Sequence, residues 1–263
     1  MPAINALPTT DARLASICTI QKRVTLLVRR FLRARTYGVC FTGTSSFRMP
    51  NALRLNGRTI KLAAPEEIGA GLDFINLALD DEYGLGSLSL RPRTILDIGA
   101  NFGLFSLLAA HHCPGSRIHA YEPNPRVFPY AVKNLSLVSG VAVFPAAVGS
   151  RPGLALVHDE SDSRYAKTIV SENGNIEITA LRTAIERLGG SVDLLKLDCE
   201  GAEWDLFQDP TAFERVKLIR MEYHLIGGRC LDNLTSSVQR LGFQVDRLLQ
   251  NRGFGIAWLS KNT

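Results

Sequence analysis

Apolar positions along most of this chain follow two alternating spacings. Short apolar runs, typical of buried strands, are separated by segments in which apolar residues recur at helical spacing. The predicted strands are residues 94–98, 117–121, 141–148, 192–198 and 216–222. The predicted helices are residues 104–112, 126–139, 179–188 and 231–241. Strands and helices that alternate in this way build a parallel sheet covered by helices.

Two further apolar runs, residues 243–249 and 254–259, close the chain, and the residues between them end in Gly253. A glycine at that position is typical of a hairpin turn. The sequence therefore predicts an α/β fold whose mostly parallel seven-stranded sheet ends in an antiparallel hairpin. Residues 149–175 break the regular pattern with short strand-like pieces, so we interpret them as an inserted flap that contacts the substrate.

The chain before this core divides into two parts. Residues 51–61 and 74–83 predict a small cap of strand and helix. Residues 17–32 predict an amphipathic helix with apolar residues on one side and arginines on the other. We expect its apolar stripe to pack on the domain; the alternative is a peripheral contact of residues 17–35 with a membrane or polyanion. The predicted organisation is a basic extension and cap over residues 1–90 and an α/β domain over 91–263.

Charge is distributed unevenly along the 263 residues, which carry 30 Lys and Arg, 25 Asp and Glu, and a formal net charge of +5. Residues 1–61 contain eleven basic residues and one acid, so the remaining chain has a net charge of −5. The five cysteines are widely spaced and form no C-x-x-C pair, which disfavours a disulfide framework and a structural zinc site. No apolar run predicts an export signal or a membrane span, so we expect a cytoplasmic protein.

The strongest motif is the turn Asp97-Ile-Gly-Ala-Asn-Phe-Gly103, between the first core strand and its helix. Its two glycines allow the backbone to approach a ligand closely, and the helix behind them offers free N–H groups. A dinucleotide site would need three glycines. The carboxylate in this turn would repel a pyrophosphate and suits a ligand that carries an ammonium and a sulfonium.

The second strand ends at Tyr121-Glu-Pro-Asn124. An acid at this position can accept hydrogen bonds from both hydroxyls of an adenosine ribose. Together with the glycine turn, Glu122 resembles the S-adenosylmethionine site of Rossmann-like class I methyltransferases.

Four segments resemble a narrower group, the FkbM family of S-adenosylmethionine-dependent O-methyltransferases. They are the glycine turn, residues 121–124, the box Asp198-Cys-Glu-Gly-Ala-Glu203 with its strand, and Met221-Glu-Tyr-His224. The resemblance implies methylation of a hydroxyl on a secondary metabolite or on a sugar of a glycan or glycolipid. The expected cofactor-binding residues are Glu82, Tyr83, Asp97, Gly99, Ala100, Asn101, Gly103, Glu122, Asn124, Ala147 and Asp198.

Acids follow the fourth and fifth strands, and the topology brings both sets to the edge that holds the glycine turn. The expected catalytic residues are Asp198, Glu200, Glu222 and His224. In one arrangement, His224 or Asp198 is the general base, oriented by Glu200 or Glu222. In the other, Asp198 and Glu222 bind Mg²⁺, which lowers the pKa of the acceptor hydroxyl.

Two other functions compete with this one. A nucleic-acid methyltransferase would suit the basic front, but the chain lacks the Pro-Pro-Tyr motif of amino-methylating enzymes, and the acidic box would oppose a phosphate backbone. A cofactor-binding module without catalysis would be expected to lose the acidic box, which is intact. We therefore expect a small-molecule or sugar acceptor and no nucleic acid.

Overall fold

The computed structural model describes residues 10–40 and 48–262, with side chains from residue 23 onward. Before the core lie α1 (Thr10–Tyr37), β1 (Ala52–Leu55), β2 (Arg58–Lys61) and α2 (Ile68–Asp73), which continues as a π-helical segment, Phe74–Asp80. The first half of the core contains β3 (Thr94–Ile98), α3 (Leu104–His112), β4 (Arg117–Tyr121), α4 (Phe128–Leu135), β5 (Val141–Phe144) and β6 (Ala146–Gly149). Then come β7 (Gly153–His158), β8 (Lys167–Val170), β9 (Ile176–Ala180), α5 (Leu181–Leu188), β10 (Val192–Leu197) and α6 (Glu203–Leu206). The last elements are β11 (Val216–His224), α7 (Leu231–Arg240), β12 (Phe243–Gln250) and β13 (Phe254–Lys261).

Seven strands form the main sheet in the order β12-β13-β11-β10-β3-β4-β5. Strands β3, β4, β5, β10 and β11 run parallel, and β13 pairs antiparallel with both β11 and β12. The predicted parallel sheet with a closing hairpin is confirmed. Because the chain reverses its direction of strand addition between β3 and β10, the carboxyl ends of these two strands border a crevice where ligands bind in open α/β sheets.

The segment predicted as one strand, residues 141–148, is divided between two sheets. Strand β5 ends at Phe144, and β6 begins after Pro145 and pairs in parallel with β9. Proline has no N–H to donate to a ladder, so it marks the point where the chain leaves the main sheet. The second sheet has the order β6-β9-β7-β8, and its β7–β8 hairpin confirms the predicted insertion.

The N-terminal region confirms a cap of strands and helix but corrects the packing of its long helix. Helix α1 is longer than predicted, and the apolar side chains of Val24, Val28 and Leu32 are exposed instead of packed on the domain. Arginines hold the helix in place, because Arg30 and Arg33 form ion pairs with acids that end the π-helical segment. The predicted stripe also includes residues 17 and 20, whose side chains lie outside the described part of the chain. Residues 1–9, 41–47 and 263, which belong to the predicted domains, lie outside it entirely.

Apolar side chains cover both faces of the main sheet. The cap and α3 pack on one face, and α5 and α7 pack on the other. None of the helices in the described ranges is both long and apolar enough to cross a membrane.

Candidate active site

A cavity of about 1580 Å³ opens at the carboxyl ends of β3, β4, β10 and β11. All four residues predicted to be catalytic line it. The predicted cofactor residues that line it are Glu82, Gly99, Ala100, Asn101, Glu122, Asn124, Ala147 and Asp198. The predicted residues that do not line it are Tyr83, Asp97 and Gly103. Residues of the flap and of the acidic box also line the cavity, so both lie beside the glycine turn.

The glycine turn is fixed from two sides. The backbone N–H groups of Gly99 and Ala100 both donate to the Tyr121 carbonyl, each at 3.0 Å. Gly99 has a φ of +78°, and a Cβ at this residue would lie 1.7 Å from the Asp198 carbonyl oxygen. Only glycine fits here, because the turn lies directly against the backbone at the end of β10. By contrast, a Cβ at Gly103 would meet Ala131 and Leu135, so that glycine serves the packing of α3 on α4.

Asp97 lies beneath the turn and supports it. Its carboxylate is fully buried, accepts a 2.7 Å hydrogen bond from Ser106 Oγ and lies 3.4 Å from the Lys196 ammonium. The predicted contact of this acid with the cofactor stays a prediction; in the structure its carboxylate contacts Ser106 and Lys196. Asp97 acts on the shape and charge of the turn, since burial raises its pKa while Lys196 and Ser106 oppose that rise.

Lys196 is a central residue of the site that the sequence analysis missed. It is 2% exposed, and its Nζ donates to the Gly99 carbonyl at 2.6 Å. The same ammonium lies 3.4 Å from both Asp97 Oδ1 and Asp198 Oδ2. Burial alone would lower the lysine pKa, but the two carboxylates raise it, so the group stays charged. The available signal was a lysine inside an otherwise apolar strand, where an unpaired charge would be costly.

Glu122 joins the glycine turn to the end of β4. Its carboxylate accepts hydrogen bonds from the backbone N–H of Asn101 at 2.6 Å and of Asn124 at 2.8 Å. Burial raises its pKa to about 7, although these two N–H groups oppose the rise. Glu122 lines the cavity at the end of β4, where the sequence predicted an acid that binds the ribose.

The flap closes one side of the cavity and is tied down by polar contacts. Ser163 donates to Glu67 of the cap through both its backbone N–H and its hydroxyl, and Asn101 Nδ2 donates to Ser163 Oγ at 3.1 Å. Arg126 bridges Asp159 of the flap and Glu67, with N···O distances of 2.6 and 2.8 Å. The flap is thus a lid over the glycine turn, as its position in the sequence suggested.

His224 ends β11 among three glutamates. Its Nδ1 lies 3.4 Å from Glu203 Oε1, and its Nε2 lies 3.4 Å from Glu200 Oε2 and 3.9 Å from Glu222 Oε1. Its ring is stacked on Phe254 with centroids 6.3 Å apart. Burial lowers the histidine pKa, but the glutamates outweigh it and raise the pKa to about 9.

Glu203 and Glu200 hold different parts of this cluster. Glu203 is fully buried, and its Oε1 accepts hydrogen bonds from the backbone N–H of Cys199 and Gly201 at 3.3 and 3.2 Å. Glu200 has a φ of +52°, a strained conformation for a residue other than glycine. Buried Glu203 therefore stabilises the turn after β10, and this turn holds the strained Glu200 beside His224.

Four carboxyl groups around Asp198 have raised pKa values. Burial first, and then repulsion from Asp198, raises the pKa of Glu222 to about 9 and that of Glu200 to about 8. The same causes raise the pKa of Glu82 to about 8 and that of Asp73 to about 7. Asp73 lines the cavity from the cap, and the sequence analysis did not identify it.

The predicted Mg²⁺ site does not fit these contacts. Asp198 Oδ2 already faces the Lys196 ammonium and accepts a 3.2 Å hydrogen bond from the Tyr83 hydroxyl. A divalent cation on Asp198 would be repelled by this lysine. Within residues 10–40 and 48–262, no group of three or more His, Cys, Asp or Glu side chains is arranged to hold a metal. These contacts fit the arrangement without a metal.

The sheet order, the glycine turn after its first strand and the acid after its second define a Rossmann-like class I methyltransferase fold. The profile of the methyltransferase FkbM domain matches residues 97–255. The chain belongs to this family and is a methyltransferase.

Known proteins of different lengths are similar to this chain. It is 27% identical over 233 residues to Methyltransferase sdnD of Sordaria araneosa, covering 73% of this chain and 85% of that protein. It is 28% identical over 218 residues to AMB antimetabolite synthetase AmbE of Pseudomonas aeruginosa, covering 64% of this chain and 10% of that protein. The structure of the mitomycin 7-O-methyltransferase MmcR superimposes with a TM-score of 0.45 at 12% identity, covering 73% of this chain and 55% of that one.

Proposed function

We propose that the protein transfers the methyl group of S-adenosylmethionine to a hydroxyl of a sugar or another secondary metabolite. The observation that carries this proposal is the imidazole of His224, which is held at the cavity wall between Glu203 and Glu200. A positioned base beside the acceptor is what methylation of an alcohol requires. The similarity to part of an antimetabolite synthetase supports an acceptor from secondary metabolism.

The residues around the glycine turn suit this cofactor. Glu122 presents a buried carboxylate for the ribose, Ala147 offers a small apolar surface for the adenine, and Glu82 lies at the end expected to face the methionine part. Trp258 Nε1 donates to the Glu82 carbonyl at 2.7 Å, which fixes that residue on the sheet. Bound S-adenosylmethionine supplies an electrophilic methyl group, and its positive charge suits the surrounding carboxylates.

The chain itself handles the proton of the acceptor. Glu203 faces Nδ1 of His224 and favours the tautomer that has its proton there, which leaves the Nε2 lone pair directed to Glu200 and the cavity. Nε2 takes the hydroxyl proton as the oxygen attacks. Glu203, 3.4 Å from Nδ1, stabilises the resulting imidazolium, and Glu200 and Glu222 lie within 4 Å of Nε2.

The lid supplies the other side of the acceptor site. Arg164 and Tyr165 line the cavity from the flap, and Arg164 is held by Asp162 at 2.7 Å. A closed lid excludes water from the reacting groups. The cysteines with described side chains, Cys40, Cys113, Cys199 and Cys230, are free thiols, and this pattern favours action in the reducing cytoplasm.

The proposal is tested with a panel of hydroxylated sugars, glycosides and polyketide-type metabolites. Calorimetry first measures binding of S-adenosylmethionine, and release of its demethylated product then reports transfer to each acceptor. We expect cofactor binding and turnover that EDTA does not reduce. Absence of cofactor binding, or activity only on nucleic acid, would refute the proposal.

The raised pKa of His224 predicts how kcat/KM depends on pH. His224 must be neutral to accept a proton, and its pKa lies near 9. We expect kcat/KM to rise about tenfold per pH unit below that value and to level off near pH 9. In Glu203→Gln, the amide oxygen still accepts from Cys199 and Gly201, but the negative charge is lost. The rising limb should then move to lower pH and the plateau should fall.

Glu186→Gln, on the exposed side of α5, is the matched control and should leave the pH profile unchanged. A purely structural role for Glu203 would lower activity equally at every pH. An unshifted limb in Glu203→Gln would therefore contradict the assigned pairing.

A further inference from the structure

Helix α1 presents its apolar face to the solvent. The exposed fractions are 53% for Val24, 38% for Leu27, 53% for Val28 and 59% for Leu32. These residues recur at the spacing that places them on one side of a helix. A surface helix ordinarily turns such a stripe toward the core, so this orientation is reversed and calls for an explanation.

Ion pairs fix the reversed orientation. Arg30 forms a two-pronged contact with Asp80, with N···O distances of 2.7 and 2.6 Å. Arg33 donates to Asp81 at 3.0 Å and to the Leu79 carbonyl at 3.1 Å. Ala34 on the same side is fully buried. Rotating the helix to bury its apolar stripe would break these contacts, so the stripe is held outward.

The charge around the stripe indicates the kind of surface that the stripe suits. Arg29 and Arg35 are exposed beside it, and residues 12–65 contain eleven Lys and Arg and no acid. A second copy of the chain placed on this face would bring arginines against arginines. A surface that is apolar in its interior and negatively charged at its boundary complements both features.

We propose that α1 is an interfacial helix that docks the enzyme on a bilayer containing anionic lipids. The apolar stripe enters the boundary between headgroups and acyl chains, and the exposed arginines contact lipid phosphates and carboxylates. Arg30 and Arg33 meanwhile keep the helix attached to the cap. The helix lies on the membrane and does not cross it.

The test is co-sedimentation of the full chain with vesicles of phosphatidylcholine containing about one-third phosphatidylserine. We expect binding at about 0.1 M salt that weakens at about 0.5 M, and much weaker binding to pure phosphatidylcholine. The triple variant Val24→Gln, Val28→Gln, Leu32→Gln should bind about tenfold or more weakly, because it withdraws apolar area from the bilayer. Arg29→Gln with Arg35→Gln should reduce both binding and its salt dependence.

A matched control changes apolar residues that are exposed elsewhere. Leu90→Gln with Leu137→Gln, at positions 79% and 85% exposed, should bind vesicles like the parent chain. Unchanged thermal unfolding and cofactor affinity show that each variant is folded. Absence of vesicle binding would overturn the proposal. Vesicle binding that the triple variant retains would also overturn it, because this result indicates a general contact with polyanions. A dimer that is seen in sedimentation and is lost in the triple variant would overturn it as well.

Discussion

Replacing His224 with alanine is expected to lower kcat by about 10²–10⁴-fold, the range that a positioned general base contributes. The affinity for S-adenosylmethionine should stay close to that of the parent enzyme, because His224 belongs to the acceptor side of the cavity. Its ring contacts Phe254 and three glutamates and forms none of the contacts that fix the glycine turn. Steady-state kinetics with the best acceptor of the panel, combined with calorimetry, measures both quantities.

Added imidazole provides a second readout for this variant. If the lost group is a proton acceptor, imidazole should restore part of the activity of His224→Ala, and the restored rate should follow the neutral fraction of the added base. Full activity in His224→Ala would exclude the histidine base and leave Asp198 as the remaining candidate.

Replacing Gly99 with alanine is expected to abolish measurable cofactor binding, with affinity reduced more than about 100-fold. A residue with a side chain adopts the left-handed backbone conformation found here at a cost of about 1–2 kcal/mol. The larger effect is steric, because the new Cβ would lie 1.7 Å from the Asp198 carbonyl oxygen and would push the turn away from β10. The displaced turn would also separate the Gly99 carbonyl from the Lys196 ammonium. Calorimetry and urea unfolding measure these losses.

Gly115→Ala is the matched control for this variant. Gly115 has a φ of +84°, and a Cβ there would meet nothing within 4 Å. It therefore carries the backbone penalty without the clash, and cofactor affinity should remain at the parent level. Equal effects of Gly99→Ala and Gly115→Ala would mean that the contact between the turn and β10 does not matter for the cofactor.

Local patterns made most of the fold predictable from the sequence. The alternation of apolar runs and helical segments located all seven strands of the main sheet, because apolar residues recur along each of them. The β5–β6 division at Pro145 and strand β9 were missed, since β9 directly precedes α5 and was merged with it. The apolar stripe of α1 was predicted to pack on the domain, but it is exposed. The apolar pattern cannot show that two arginines on the opposite side form ion pairs with acids of the cap.

The residues of the candidate site were also predictable only in part. Residues in the glycine turn and at strand ends were identified, since topology alone brings them to one edge. Lys196 and Asp73 were missed, because their importance depends on contacts with Asp97 and Asp198 from distant parts of the chain. The contacts of Asp97 with Ser106 and Lys196 beneath the turn could not be predicted either, because they also join separate parts of the chain.

The most direct test of the central claim is to locate the transferred methyl group. The enzyme is incubated with S-adenosylmethionine that carries an isotopically labelled methyl and with an acceptor that offers both hydroxyl and amino groups, such as an amino sugar. The product is then examined by NMR. The proposed mechanism leads to a labelled methyl ether, formed in the parent enzyme and strongly reduced in His224→Ala. A label on nitrogen or carbon, or an ether formed equally well without His224, would contradict it.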